Sequence, residues 1–204
     1  MLVALEGIDG CGKSTQARLL TAALIERGLA AATFREPGDT EYGRELRRIF
    51  VEGRDVSPRE EMRLFLEDRR IDVRSNILPA LAAGKVVIMD RYYLSSVVYQ
   101  GALGVDPVEI LAANEAIAPP PDLTLLLDIP ADVARQRIRA ARGATNTFEE
   151  RDYLDGVRAR YLSYCDGESI VRIDATAAPE AVHEELLRLV VDRIQPRGSS
   201  AGGE

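Results

Sequence analysis

The sequence predicts an α/β fold, a parallel sheet of about five strands with helices on both of its faces. Short apolar runs alternate along the chain with longer amphipathic segments, as expected of repeated strand–helix units. Each apolar run is nearly continuous, which is typical of strands covered on both sides. The chain of 204 residues is long enough to form one large domain with its own core.

Strands and the first long helix follow from local patterns. The strand candidates are residues 2–6, 31–34, 86–89, 123–127 and 170–173. A helix is predicted to begin at Ser57, because an N-cap serine is followed by Pro58 and, three residues on, by Glu60. We expect it to continue to about Ala82, with a kink near Pro79.

The second half of the chain continues the alternation. Asp106-Pro107 repeats the helix-start pattern, and Ala131–Arg142 is predicted as a helix rich in arginine. The polar run 143–147 then interrupts the helical pattern and predicts a short lid at about residues 139–150. We expect residues 1–195 to form a single domain and the tail 196–204, rich in glycine and serine, to be disordered.

Composition excludes several classes of function. The net charge of −7 argues against a broad nucleic-acid surface, which needs clustered cations. No apolar run reaches the roughly 18 residues that a membrane span requires, and the N-terminus lacks the basic segment of a signal peptide. The two cysteines, Cys11 and Cys165, are far apart and have no metal-like spacing. We therefore expect a cytoplasmic protein without nucleic-acid or membrane partners.

The strongest functional signal is a glycine-rich motif between the first strand and the first helix. It reads Gly7-Ile8-Asp9-Gly10-Cys11-Gly12-Lys13-Ser14 and matches the phosphate-binding P-loop, G-x-x-x-x-G-K-[ST]. Loop amides and the helix N-terminus are expected to bind phosphates, with Lys13 reaching the β- and γ-phosphates. Lys13 is one of only two lysines among 26 cationic residues, which favours chemistry that needs a compact ammonium at this position. A chance glycine turn is the alternative.

A second signal lies at the end of the third predicted strand. Asp90-Arg91 follows the apolar run 86–89, at the carboxyl end where ligands bind to open parallel sheets. Asp90 could hold magnesium and Arg91 could neutralise a phosphate, while a surface ion pair is the alternative. Since no N-K-x-D guanine motif follows the P-loop, a small phosphotransferase is favoured over a G protein.

Taken together, these motifs resemble those of thymidylate kinases. The motifs that carry the resemblance, besides the P-loop, are Arg35-Glu36-Pro37-Gly38, Leu64-Phe65 followed by Arg69, Asp90-Arg91-Tyr92, Tyr99-Gln100-Gly101 and Ile173-Asp174-Ala175-Thr176. The resemblance extends to about Leu189. It implies a three-layer P-loop kinase fold, ATP and dTMP as substrates, Mg²⁺ as cofactor, direct in-line phosphoryl transfer and a homodimer.

The resemblance also implies a role for individual residues. The catalytic residues are expected to be Lys13, Arg91, Asp9, Arg139 and Arg142. The ATP-binding residues are expected to be Gly7, Ile8, Asp9, Gly10, Cys11, Gly12, Lys13, Ser14, Thr15, Arg135, Ala175 and Thr176. The dTMP-binding residues are expected to be Asp9, Arg47, Phe65, Arg69, Arg91, Ser96, Tyr99 and Gln100. Ser14 and Asp90 are expected to bind the metal.

Within the acceptor site, the resemblance distinguishes several contacts. Asp9 is expected to contact the 3′-hydroxyl of the sugar and Arg47 the phosphate. Phe65 is expected to stack on thymine and Arg69, one helical turn further, to bond the edge of the base. Tyr99 is expected to exclude a ribose 2′-hydroxyl by its bulk.

The sequence leaves three questions open. The resemblance implies a catalytic basic residue in either the P-loop or the lid. The P-loop carries no arginine, so the lid is expected to supply it, yet Asn146-Thr147 stands where bacterial relatives commonly have Asp-Arg. Arg139 and Arg142 are the candidates, and an arginine from elsewhere remains an alternative. The acceptor could be another nucleoside monophosphate or a deoxynucleoside, and a module that binds ATP without transferring phosphate is a further alternative.

Overall fold

The computed structural model describes residues 1–142 and 149–194, and its centre is a five-stranded parallel sheet. The strands are β1 (Leu2–Glu6), β2 (Ala31–Arg35), β3 (Val86–Asp90), β4 (Leu123–Asp128) and β5 (Ile170–Asp174). Their order across the sheet is β2-β3-β1-β4-β5, and every neighbouring pair is parallel. The predicted α/β fold with about five parallel strands is confirmed.

Strands β2 to β5 each continue one residue beyond their predicted end, onto a charged residue. These residues are Arg35, Asp90, Asp128 and Asp174. Arg35 pairs with Asp90 across the ladder, and Asp128 with Asp174. Ladder hydrogen bonds join backbone groups, so pairing continues where the apolar pattern has already ended.

The helices surround the sheet. They are α1 (Lys13–Glu26), α2 (Glu41–Glu52), α3 (Pro58–Asp72), α4 (Leu78–Ala82), α5 (Tyr93–Ala102), α6 (Pro107–Glu115), α7 (Ala131–Arg142), α8 (Glu149–Ser163) and α9 (Pro179–Ile194). Residues 143–148 of the predicted lid and the predicted tail 196–204 lie outside the described residues. Among the described residues, the structure contains no helix with the length and hydrophobicity needed to cross a bilayer.

The helix predicted from Ser57 to about Ala82 is interrupted earlier than expected. A π-helical turn, Val73–Ile77, separates α3 from α4, and the Leu78 amide donates to the Val73 carbonyl. A proline ring clashes with the carbonyl four residues before it in an α-helix, and for Pro79 that residue is Ser75. The distortion therefore lies in the turn before Pro79 rather than at the proline itself.

Alternate residues of β1 face two separate cores, which makes the architecture three-layered. Val3 and Leu5 pack into a core that includes α1 and α9, whereas Leu2 and Ala4 pack against the π-helical turn and α4. This two-sided burial explains the continuous apolar runs in the sequence. The carboxyl ends of β1, β2 and β3 therefore lie side by side at one edge of the sheet.

Candidate active site

The loop between β1 and α1 follows a path that requires glycine. Gly7, Gly10 and Gly12 have φ values of 136°, 82° and 105°. A Cβ atom at Gly7 would lie 2.5 Å from the Leu127 carbonyl oxygen, and one at Gly10 would lie 2.7 Å from the Ala134 carbonyl oxygen. The loop is thus packed against β4 and α7, and α1 starts immediately after it with its N-terminal amides at the cleft.

Lys13 is buried against this loop. Its Nζ atom donates to the carbonyl oxygens of Gly7 and Ile8, both at 2.9 Å, and lies 3.5 Å from Cys11 Sγ. The ammonium group carries three hydrogens and is free to redistribute them among nearby acceptors. The loop therefore holds one positive charge beside the amides that are expected to bind phosphate.

Ser14 and Asp90 meet at the carboxyl end of β3. Ser14 Oγ donates to Asp90 Oδ2 at 2.5 Å, and Arg35 Nε lies 3.9 Å from the same oxygen. Hydroxyl and carboxylate oxygens are ligands that Mg²⁺ prefers. In residues 1–142 and 149–194, no group of three or more His, Cys, Asp or Glu side chains could hold a metal ion on its own. The pair suits a metal that is shared with phosphate oxygens.

A cleft of about 400 Å³ opens over the loop and brings many of the predicted residues together. Asp9 and the rest of the loop to Gln16 line it, with Asp90, Arg91 and Ala175. Arg35 and Arg137 also line it, although neither was predicted as a site residue. Arg35 could have been inferred from its position at the end of a parallel strand.

Helix α7 presents a different arginine to the cleft from the one predicted. Arg137 Nη2 donates to the Ala175 carbonyl oxygen at 3.0 Å, whereas Arg135 lies 3.8 Å from Asp132. Ala134 and Ile138 lie against Gly10, and Arg135 and Arg137 flank this side of the helix at similar angles. Only the position of Ala175 in the fold separates Arg137 from Arg135, so no local signal in the sequence distinguishes them.

Of the remaining residues predicted on the donor side, some line the cleft and others do not. Thr15 lines the cleft, and Thr176 donates through its backbone N and Oγ1 to Asp174 Oδ1. Of the described residues that line the cleft, none is Arg135, Arg139 or Thr176. Arg139 is exposed, and the Arg142 side chain lies outside what the structure describes. The roles predicted for these residues stay predictions.

Arg91 lies at the junction of the loop and α5. Its Nη1 donates to Ser95 Oγ at 3.0 Å and to the Gly7 carbonyl oxygen at 3.3 Å, and its Nη2 donates to Asp9 Oδ1 at 2.7 Å. Its Cζ lies 5.2 Å from the centre of the Tyr99 ring. Burial lowers the pKa of Arg91, but the tyrosine and carboxylate groups around it raise the pKa well above its usual value. The guanidinium therefore stays cationic.

The Arg91 backbone adopts an unusual conformation. Its φ of 72° lies in the left-handed region, which non-glycine residues rarely enter. Strain of this kind costs on the order of 1–3 kcal/mol and occurs preferentially at functional sites. The conformation turns the chain sharply between β3 and α5, so that the arginine side chain points back over the loop.

Arg69 lies deeper, in a cluster that we call the acceptor wall: Glu36, Arg69, Ser96 and Asn114. Arg69 donates from Nε at 2.8 Å and from Nη2 to the Glu36 carboxylate, from Nη1 and Nη2 at 3.3 Å to Ser96 Oγ, and from Nη1 to Asn114 Oδ1. Burial raises the pKa of Glu36 to about 7, although the Arg69 guanidinium opposes this shift. Glu36 and Asn114 were not predicted as site residues.

The other acceptor-side predictions surround this wall. Phe65 is half-buried beside Phe50, with ring centres 6.1 Å apart, and Gln100 Nε2 donates to Glu61 Oε1 at 2.8 Å. Arg47 Nη1 donates to the carbonyl oxygens of the loop after β2, at 3.0 Å to Pro37 and 2.7 Å to Gly38. The contacts expected between these residues and dTMP remain predictions.

Comparison with known proteins identifies similar sequences over almost the whole chain. A family profile described as "Thymidylate kinase" matches residues 5–186. A "Probable thymidylate kinase" of Archaeoglobus fulgidus is 46% identical over 190 residues, which cover 93% of this chain and 94% of the relative. A "Thymidylate kinase" of Desulfotalea psychrophila is 47% identical over 163 residues (79% and 80%), and one of Xylella fastidiosa strain Temecula1 is 43% identical over 202 residues (99% and 96%).

Proposed function

The chain belongs to the thymidylate kinase family, and we propose that its cleft transfers the γ-phosphate of ATP to dTMP, giving ADP and dTDP. The observation that carries this proposal is the position of Arg91. Its guanidinium contacts Gly7 and Asp9 of the phosphate loop on one side and Ser95 and Tyr99 of α5 on the other. A cation in that position can neutralise charge on both substrates.

On the donor side, the loop residues from Gly7 to Thr15 would bind the phosphates of ATP. The backbone amides of a left-handed glycine loop converge on anions, and the α1 N-terminus adds a favourable dipole. Lys13 would move its hydrogen bonds from loop carbonyls to the β- and γ-phosphates. Arg137 supports a site for adenine beside Ala175, because its bond to the Ala175 carbonyl ties α7 to the loop after β5.

Mg²⁺ would be held by Ser14 and Asp90, whose oxygens already lie 2.5 Å apart beside the loop. When bound, the ion supplies charge neutralisation at the β- and γ-phosphates. Asp90 is buried, so its orientation is fixed by packing rather than by solvent. Arg35, 3.9 Å from Asp90, adds a second positive charge at the same corner of the cleft.

On the acceptor side, Asp9 and Arg91 would hold the sugar and phosphate of dTMP, and Arg47 would add a contact to the phosphate. Phe65 and Ser96 would contact thymine, with Gln100 nearby. Arg69 donates twice to Ser96 Oγ, so the hydroxyl hydrogen of Ser96 is left to donate elsewhere. A donor in that position favours a base with a carbonyl oxygen, as in thymine.

Transfer would proceed by direct in-line attack of a dTMP phosphate oxygen on the γ-phosphorus. The bond between the γ-phosphorus and the bridging oxygen of ADP breaks as the new bond forms. This transfer needs positioning and charge neutralisation, and it needs no nucleophile from the protein. A catalytic arginine at Arg139 or Arg142 would add to Arg91.

We also propose that the protein forms a homodimer in the cytoplasm. Ile71 and Leu78 are exposed apolar residues one to two turns apart, on α3 and α4 on either side of the π-helical turn. Such residues on continuous helical structure are suited to packing against a second copy. The two cysteines, Cys11 and Cys165, are free, which fits a reducing compartment.

A coupled assay of ADP formation with dTMP, dUMP, UMP, CMP and AMP tests the proposed activity. We expect the highest kcat/KM with dTMP, a lower value with dUMP, and values at least about a hundredfold lower with the ribonucleotides, since Tyr99 would exclude a 2′-hydroxyl by its bulk. Preference for AMP, CMP or UMP would identify a different monophosphate kinase. ADP formation that is independent of any acceptor would identify an ATP-binding hydrolase instead.

A further inference from the structure

Beneath Arg91, three buried side chains form a cluster to which the proposed function assigns no role: Glu6, Ser95 and Tyr161. Ser95 Oγ lies 2.6 Å from Glu6 Oε2 and 3.0 Å from Arg91 Nη1. The Tyr161 hydroxyl lies 2.8 Å from Ser95 Oγ and 3.0 Å from Glu6 Oε2. We propose that Ser95, itself held by Glu6 and Tyr161, is a positioning residue that fixes the Arg91 guanidinium for phosphoryl transfer.

The chemistry of the carboxylate and the guanidinium fixes the direction of the hydrogen bonds that these two groups make, since the first only accepts and the second only donates. The Glu6 carboxylate accepts from the backbone amides of Tyr92 and Ser95 at 2.9 and 3.1 Å. It also takes the only hydroxyl hydrogen of Ser95. Ser95 Oγ accepts from Arg91 Nη1, because a guanidinium has no acceptor, and its bond to Glu6 fixes the orientation of the hydroxyl.

The cluster fixes the backbone of Arg91 as well as its side chain. The Arg91 amide donates to the Leu5 carbonyl at 3.0 Å, and the Tyr92 amide donates to Glu6. Both bonds anchor the left-handed residue to the end of β1. Since strained conformations persist only where the surroundings over-determine them, these contacts are suited to maintaining the φ of 72°.

The two ends of the Arg91 guanidinium have different partners, which is why Ser95 matters for transfer. Nη2 is bonded to Asp9, a residue at the open cleft that the proposed function assigns to the acceptor sugar. Nη1 is bonded to Ser95 and Gly7, inside the protein. Ser95 therefore retains Nη1 while Nη2 engages substrate. This inference rests on the role proposed for Arg91, and its test separates the two.

The test is a mutant cycle on the full chain, with kcat and KM for ATP and dTMP measured from γ-labelled ATP over long incubations. Ser95→Ala should lower kcat by about ten- to hundredfold, as expected for a misplaced catalytic group, with KM for ATP changed less than about threefold. In an Arg91→Lys background the same substitution should change kcat less than about threefold, because its target guanidinium is gone.

The matched control is Ser169→Ala, which removes a serine hydroxyl that donates to the Asp166 carboxylate at 2.6 Å, far from the cleft. We expect it to leave kcat unchanged. Should Ser95→Ala fail to give a cooperative thermal transition, Tyr161→Phe decides: it should lower kcat about three- to tenfold in the wild-type background and not in Arg91→Lys.

Three results would overturn the inference. One is a kcat within threefold of wild type for Ser95→Ala, or for Tyr161→Phe where that variant decides. Another is an equal loss of kcat when the substitution is made in the wild-type and in the Arg91→Lys background, which would indicate a general structural role. The third is full activity of Arg91→Lys, which would remove the catalytic role of Arg91 itself while leaving dTMP phosphorylation established by the wild-type assay.

Discussion

The two arginines of the acceptor side, Arg69 and Arg91, resemble each other in their immediate contacts. Each guanidinium lies over a tyrosine ring, Arg69 at 5.5 Å from Tyr92 and Arg91 at 5.2 Å from Tyr99. Each is also paired with a carboxylate, Glu36 or Asp9. On sequence alone the two would be assigned similar roles, as cations that contact dTMP.

Their burial separates them. The side chains of Arg69 and its partner Glu36 are only 1% and 2% exposed, and every guanidinium nitrogen of Arg69 bonds to a protein group. Arg91 is 15% exposed and its partner Asp9 is 67% exposed at the cleft. The buried partners of the Arg69 guanidinium let it stabilise the acceptor wall, and its contact with thymine remains a prediction. A guanidinium whose partner faces solvent, like that of Arg91, can exchange that partner for a substrate.

The largest expected effect tests the role of Arg91, the arginine whose partner faces the cleft. Arg91→Ala should lower kcat by about a thousandfold or more, because a positioned arginine contributes about 10³–10⁵ in P-loop enzymes. The thermal unfolding midpoint should stay within a few degrees of wild type. Steady-state kinetics and calorimetry provide the two measurements.

Arg59→Ala is the control for Arg91→Ala, since it removes a surface arginine paired with Glu109. We expect Arg59→Ala to retain wild-type kcat. If Arg91→Ala kept more than about a tenth of the activity, a barrier change below about 1.4 kcal/mol, the catalytic role of Arg91 would be wrong.

The buried pair of the acceptor wall should dominate stability instead. Glu36→Ala leaves the Arg69 charge buried without its carboxylate, so the free energy of unfolding should fall by about 3–5 kcal/mol. Asp9→Asn, at the exposed pair, should change it by less than about 1 kcal/mol. Urea denaturation of both variants makes the comparison, and equal losses would show that burial does not distinguish the two arginines.

The last comparison concerns the pH dependence of stability. Burial raises the pKa of Glu36 to about 7, so the folded protein holds a proton that the unfolded chain releases near 4.5. The stability contributed by this group should be complete below pH 4.5, decline at up to about 1.4 kcal/mol per pH unit as pH rises, and become constant above about 7.

Urea midpoints at pH 5, 6, 7 and 8 for wild type and Glu36→Gln isolate this contribution as a difference. Gln has no titrating proton, so the urea midpoint of wild type minus that of Glu36→Gln should decrease as pH rises from 5 to 7. If the midpoint of wild type minus that of Glu36→Gln increased over that range, Arg69 would outweigh burial and lower the pKa of Glu36.

Much of the donor side was accessible from sequence because its determinants are local. The P-loop needs only closely spaced glycines, a lysine, a preceding strand and a following helix, and all of these lie within residues 2–26. Asp90 and Arg91 were found because a strand end places its next residues at the sheet edge. Arg137, which also lines the cleft, was not predicted because its partner Ala175 lies 38 residues away, and the role predicted for Arg135 remains a prediction.

The acceptor wall and the Arg91 support could not be predicted in this way. Glu36 and Asn114 meet Arg69 across 33 and 45 residues of sequence, and Tyr161 meets Glu6 across 155. Their residue types occur on many exposed helices and strand ends. Without the fold, a polar residue at these positions is indistinguishable from one in contact with solvent.

The amino-acid sequence by itself determined the five-strand alternation and the phosphate loop, because each depends on neighbours within about one strand–helix unit. It also determined the family, because the order and spacing of the motifs along the chain are properties of the sequence. Only the tertiary structure decided which arginine is enclosed and which faces the cleft. The reason is physical: a charge can be buried only where partners from distant segments converge to satisfy it, and a sequence records the charge but not the convergence.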